Sequence, residues 1–323
     1  MTPLHGHDTA VSAFLDSHCL GRLHHAWLLS GPQGVGKALF ADKVALKVLA
    51  DGAGPPVPRL DVPDEHRTAR LVAAGSHPDL MRLERLAKDS GTELARSITV
   101  DQVRGLQRLF ATTPSLSPWR VVVIDAVDDL ERPAANALLK NLEEPPANCL
   151  FLLVSHAPER LLPTIRSRCR QLRVSALAPD AMPAALRGAL EDPQPGELEA
   201  LIAVGEGSPG RALAFRGLKI EALDEAMREL AQAGDPTNAR RSRLAAELAP
   251  KSAQSRFEAF LARAPSFIAA EARRRRGPAL ADALLTWERA RDLAAGAPRL
   301  SLDPHSVVFE LGGMLASLSR CKA

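Results

Sequence analysis

The sequence predicts an α/β domain, a parallel sheet covered by helices, followed by a small helical domain and an all-α C-terminal domain. Three observations predict it. Apolar runs in roughly the first 175 residues are short and continuous, as in strands buried on both faces of a parallel sheet. Helical patterns separate these runs, giving the strand–helix–strand order of a doubly wound domain. Beyond that point strand signals stop, and Ala, Leu, Arg and Glu recur at helical spacing.

Taken in order, "HAWLLS" (25–30) reads as a buried strand ending at a glycine. "KALFADKVALKVLA" (37–50) follows as a mostly buried helix, with apolar residues at Leu39, Phe40, Val44, Leu46 and Val48. "DGAGPPVPRLDVPDEHRT" (51–68) is rich in Pro, Gly and charge, and reads as a surface excursion without a core of its own. "RVVVIDAV" (120–127) and "CLFLLVS" (149–155) are two further strands. Between them "PAANALLKNLEEPP" sets Ala135, Leu138, Leu139 and Leu142 on one helical stripe, and the double proline ends that helix. Gly207 to Gly210 punctuates the helical part that follows. These signals place an α/β domain at 1–175, a small helical domain at 176–218 and a helical C-terminal domain at 219–323. No internal repeat is evident.

Composition narrows the class. A chain of 323 residues suggests two or three domains, and an apolar share of 46% with 24% charged residues is ordinary for a soluble globular protein. Net charge is only +3, so any nucleic-acid contact rests on local clusters, such as Arg240, Arg241 and Arg243 or the run Arg273 to Arg276. More often such clusters are solvated faces or interface ion pairs. No run approaches the roughly 20 apolar residues that span a bilayer, and the N-terminus lacks the pattern of a signal peptide. No membrane association is expected. Cys19, Cys149, Cys169 and Cys321 are scattered, which fits reduced thiols in a cytoplasmic protein and gives no C-x-x-C for zinc. His5, His7, His18, His24 and His25 lack a set of partner ligands, so core or surface roles are expected of them. The chain has no tyrosine, and no physical reason for that is evident.

Three motifs carry chemistry. Gly31-x-x-x-x-Gly36-Lys37, with Gly34 between, is a phosphate-loop pattern between a strand and a helix. Its glycines let backbone N–H groups surround phosphate oxygens, and Lys37 would reach the β- and γ-phosphates. Ala38 stands where a Ser or Thr would ligate magnesium, so nucleotide binding is expected to be weak or absent. Asp125 ends an apolar strand, where a magnesium-organising carboxylate sits, but the next residue is Ala126 and not a water-orienting Glu. Asp128 and Asp129 fall two and three residues too late to replace it simply. Losing both oxygens argues against turnover. Ser155 ends another strand, where a short polar side chain could sense a γ-phosphate. In "LLPTIRSRCRQ", Arg166, Arg168 and Arg170 alternate with Ser167, Cys169 and Gln171, a pattern also common in solvated edge strands.

Together "GPQGVGK", "HPDL" (77–80), "ITVDQVRGLQ" (98–107), "VVVIDAVDDL", "NALLKNLEEPPANCLFLLVS" (136–155), "LLPTIRSRC" (161–169) and "GSPGRAL" (207–213) resemble, in register, a clamp-loader ATPase domain of the AAA+ superfamily. The resemblance implies an AAA+ P-loop domain, a helical lid and a helical collar that holds an open ring of related subunits. It implies that Arg168, in Ser-Arg-Cys, is an arginine finger acting in trans on a neighbour's ATP. It also implies that Arg211 matches the lid residue that contacts nucleotide, and that the helix bearing Arg104 lines a duplex channel. "PRLSLDPHSVVFEL" (298–311) loosely resembles the last helical part of a collar. Many members carry a four-cysteine zinc module after the phosphate-loop helix; residues 51–75 contain no cysteine, so no zinc is expected, and this loop must be held some other way or be mobile.

An intact Ser-Arg-Cys beside a degraded ATP site resembles a non-motor member of the bacterial DNA polymerase III clamp loader. The resemblance implies motor subunits (gamma/tau), the delta subunit, the sliding clamp and primed DNA as partners, with no required cofactor. Two other readings stand beside it: an active ATPase in which Asp128 or a water replaces the lost groups, and an AAA+ scaffold or adaptor in transcription or DNA repair.

Overall fold

The computed structural model describes residues 3–87, 94–190 and 195–321. The chain divides into two compact units between Ala214 and Phe215. In the first, the elements are α1 (Asp8–Cys19), β1 (Ala26–Ser30), α2 (Lys37–Ala53), α3 (Arg67–Ala73), β2 (Leu80–Glu84), α4 (Val100–Arg104), α5 (Leu106–Ala111), β3 (Arg120–Asp125), α6 (Arg132–Glu143), β4 (Cys149–Ser155), α7 (Pro163–Ser167), β5 (Arg170–Arg173), α8 (Met182–Arg187), α9 (Pro195–Gly205) and α10 (Pro209–Ala214). The second holds α11 (Ile220–Ala233), α12 (Ala239–Leu248), α13 (Gln254–Arg273), α14 (Gly277–Leu300) and α15 (Pro304–Ser317).

The strands form one parallel sheet in the order β2-β3-β4-β1-β5. Side chains alternate between its faces, and here both faces are apolar. Ala26, Leu28, Val122, Ile124, Phe151 and Leu153 belong to a core that also takes Val103, Leu106 and Leu138 from α4, α5 and α6. Trp27, Leu29, Val121, Val123, Leu150, Leu152 and Val154 pack with Phe14 of α1 and with Phe40, Val44 and Val48 of α2. Two buried faces explain why β1, β3 and β4 read as unbroken apolar runs.

The edge strands were harder to read. β2, "LMRLE", buries only Leu83, because its other side chains stand at the rim. At the opposite edge, the three arginines do not share a strand as their alternation suggested. Arg166 lies in α7, Arg168 caps that helix, and only Arg170 belongs to β5. Arg170 lies over the Trp27 ring at 4.6 Å and donates to Ser17 Oγ at 3.1 Å, so it closes the edge instead of being simply solvated.

Residues 51–68 also differ from expectation. The segment starts as the last turn of α2, and its Val62 joins Leu46, Ala50 and Ala69 in a small core, while Leu60 is buried against the larger one. Lys47 donates to Asp51 and to the Val57 carbonyl. Asp51 in turn accepts from Val57 N–H and pairs with His18, each at 2.9 Å. Burial opposes ionisation of Asp51, yet the Lys47, Val57 and His18 contacts hold its carboxyl below the ordinary range. This node fastens the loop that the sequence left without an anchor.

After β5, Leu177, Met182, Leu186, Leu190, Leu198, Leu201 and Ala212 make a separate helical core. In the second unit α14 buries Ala283, Ala290 and Ala297, seven residues apart, presenting small side chains along one seam. Arg241, in one of the basic clusters, is not displayed for phosphates. Its guanidinium lies 4.3 Å from the Phe309 ring centre of α15, and a Cβ at Gly312 would come within 2.8 Å of Arg241 Cβ. The stretch 298–311 spans the end of α14 and the first half of α15. Cys19, Cys149 and Cys169 are free thiols; the side chain of Cys321 lies outside the described ones. Among the described residues no helix is long and apolar enough to cross a membrane.

Candidate functional site

The candidate site lies where β1, β3 and β4 end and α2 begins. Gly31, Gly34 and Gly36 all take positive φ, 153°, 77° and 102°. The turn also demands their small size. A Cβ at Gly31 would stand 1.9 Å from the Val174 carbonyl oxygen, and one at Gly34 would meet Ser208 Oγ at 2.5 Å and Arg211 N at 2.8 Å. The segment before α10 therefore lies directly on the loop. Gly210 N–H donates to the Gly34 carbonyl at 2.8 Å, and Ser208 Oγ donates to the Gln33 carbonyl at 2.9 Å. From the other side His7, buried, donates Nε2–H to the Val35 carbonyl at 2.8 Å. Burial pushes the His7 pKa down, keeping the ring neutral.

Lys37 is 3% exposed. Its Nζ is turned into its own loop, donating to the Gly31 and Pro32 carbonyls at 2.7 and 2.6 Å. Burial lowers its pKa to about 8, against the pull of Asp128 and Asp125. Asp125, at the end of β3, accepts from Arg82 NH2 at 2.8 Å. Arg82 comes from β2, where the register sets Glu84 beside Asp125. Asp128 accepts three hydrogen bonds: Ser155 Oγ at 2.9 Å, His156 N–H at 2.7 Å and Ala157 N–H at 3.2 Å. The wholly buried Ser155 hydroxyl therefore points at a carboxylate of its own chain. Asp129 pairs with Arg85 at 3.1 Å, and burial pushes its carboxyl pKa up.

Gly31, Gly34, Gly36, Lys37, Asp125, Ser155 and Arg211 lie about one end of the sheet, with the side chains of Asp125, Ser155 and Arg211 held by Arg82, Asp128 and Glu206. Arg211, in α10, pairs with Glu206 at 3.0 Å while its backbone N–H donates to Ser208 Oγ. These residues are a poor fit for a magnesium nucleotide. The lysine is donated to loop carbonyls, the loop is covered by the segment carrying Ser208 and Gly210, and the metal-facing carboxylate already holds a guanidinium.

Two other residues lie outside this group. Arg168 caps α7, about one third exposed, with its guanidinium on Glu143 Oε1 of α6 at 2.7 Å and on the Thr164 carbonyl at 3.1 Å. Arg104 ends the five-residue α4, well exposed and paired with Asp101 at 3.2 Å. That helix starts at Val100, where Thr99 and Gln102 form a reciprocal cap.

Two structural residues escaped the sequence reading. Asp79 of "HPDL", 2% exposed, accepts from the N–H groups of Ser115, Leu116 and Ser117 at 2.7 to 3.1 Å, fixing the loop that enters β3. Arg82 is the other; its signal was an arginine two residues before Glu84 in an alternating strand.

A family model described as "DNA polymerase III, delta subunit" matches residues 6–178. The DNA polymerase III subunit delta' of Pseudomonas aeruginosa is 38% identical over 193 residues, covering 60% of this chain and 56% of that protein. The delta' subunit of Escherichia coli is 34% identical over 222 residues, 67% of this chain and 61% of that protein. The Escherichia coli tau subunit is 32% identical over 223 residues, which is 68% of this chain but 33% of tau. The chain thus spans less than two thirds of the length of each relative it matches here. Because the family match covers more than half of the chain, the chain belongs to the family described as DNA polymerase III, delta subunit, and is similar to its delta' members.

Proposed function

We propose that this chain is a non-catalytic subunit of the sliding-clamp loader of DNA polymerase III, in the cytoplasm. It donates Arg168 to the ATP site of a neighbouring motor subunit and helps place the clamp on primed DNA. One observation carries the reading: the Lys37 ammonium, the Asp125 carboxylate and the Ser155 hydroxyl are each engaged by groups of this chain, while the Arg168 guanidinium, paired with Glu143, stays about one third exposed. A guanidinium in that position can stabilise charge developing on a transferred phosphoryl. Its own site binds ATP or ADP weakly or not at all. The partners in this reading are gamma/tau-type motor subunits, a delta subunit, the clamp and primed DNA, with Arg104 as a candidate phosphate contact.

Reconstitution with motor subunits tests it. With Arg168→Ala in the ring, hydrolysis at the adjoining site should fall by about three orders of magnitude, seen as a lower DNA- and clamp-stimulated rate for the assembly. An unchanged rate removes the finger role. ATP hydrolysis by the isolated chain, well above that of Lys37→Ala, would overturn the non-catalytic reading.

A further inference from the structure

We infer that Arg82 is a built-in replacement for the divalent cation at Asp125, so that this end of the sheet is electrostatically complete without metal. The inference rests on the reading of the site as non-catalytic and says how that state is held. Arg82 Nε donates to Glu84 Oε2 and NH2 to Asp125 Oδ2, both at 2.8 Å, while NH1 contacts Asp42 Oδ1. One planar cation thus joins three carboxylates from three elements, α2, β2 and β3. A guanidinium presents its donors in a fixed fork and stays charged at every accessible pH.

The surroundings explain why a cation is required. Asp42, Glu84, Asp125, Asp128 and Asp129 crowd this rim, and the cations acting on them are Lys37, Arg82 and Arg85. Lys37 is committed to the Gly31 and Pro32 carbonyls and Arg85 to Asp129, and among the described residues Arg82 is the cation in contact with Asp125. Among the described residues no group of three or more His, Cys, Asp and Glu is placed to hold a metal ion. Asp125 is near enough to the phosphate loop to act on the charge of Lys37, so the guanidinium it holds lies beside that loop.

The test uses the full chain without nucleotide or partners, so its failure is separate from failure of the functional reading. Thermal melting is followed with EDTA and with millimolar Mg²⁺ or Mn²⁺. The wild-type melting temperature should not respond to either cation. Arg82→Gln should melt lower in EDTA and recover at least half of the loss when the cation is added. Arg82→Lys, which keeps the charge, should melt near the wild type and remain insensitive. If Arg82→Gln does not fold in EDTA, refolding it in Mn²⁺ should restore the native circular dichroism. Loss of stability that no divalent cation restores would overturn the inference, as would a wild-type chain that melts higher with Mg²⁺.

Discussion

Lys37 shows how a residue can keep its place in a motif and change its work. Turned back onto two carbonyls, it stabilises a turn. Its pKa falls from 10.5 to about 8 because burial penalises the ammonium. The unfolded chain therefore holds one more proton than the native one between those values, and stability should rise with pH across that window. At one pKa unit per 1.36 kcal/mol the rise is on the order of 3 kcal/mol. Chemical denaturation at pH 7.5, 9 and 10.5 should show it as a difference from Lys37→Met, whose profile lacks that slope. Arg168 presents the opposite case: its partner Glu143 is itself half exposed, so solvent screens the pair and it holds the guanidinium only lightly.

At the scale of elements, the loop after α2 has been given an electrostatic anchor. Lys47 and Asp51 are both nearly buried, so cutting one leaves the other charge without its counterpart. Asp51→Ala should cost about 3–5 kcal/mol, measured by urea unfolding, and should speed proteolysis near Val57. Lys47→Met combined with Asp51→Leu should recover most of that cost, since a matched apolar pair removes the orphaned charge. Legibility followed the same physics. β1, β3, β4, α2 and α6 were plain in the sequence because burial imposes a pattern on every residue they contain. β2 and β5 were not, because strands at the rim bury few side chains. Residues 51–68 look like a loop by composition, and Leu60, Val62 and the acceptors of Lys47 are too few and too far apart to announce a core. The site was legible as a set of positions: Gly31, Lys37, Asp125, Ser155 and Arg211 come together. That Arg82 and Asp128 satisfy two of them was not legible, since pairing across strands leaves no local spacing to read.

The molecule as a whole is two units with separate cores. From Phe215 on, Leu223, Met227, Leu230, Phe260, Ile268, Val308, Leu311 and Leu315 are all buried within about a hundred residues of helix. That is sufficient apolar content for a domain of this size to fold alone. Residues 215–323 expressed by themselves should give a helical circular dichroism spectrum and one cooperative thermal transition. A spectrum without helix, or a melt without a cooperative step, would contradict the division. The first unit holds the fastened phosphate loop, and that feature has a consequence for the cell. On the proposed reading, a turn whose carbonyls are held by His7, Lys37, Ser208 and Gly210 would keep one shape at any ratio of ATP to ADP. Energy charge, which sets the state of an ordinary phosphate loop, would then have no handle on this one. In a ring whose other members change shape with the nucleotide pool, such a subunit would be the fixed reference against which their movement is made.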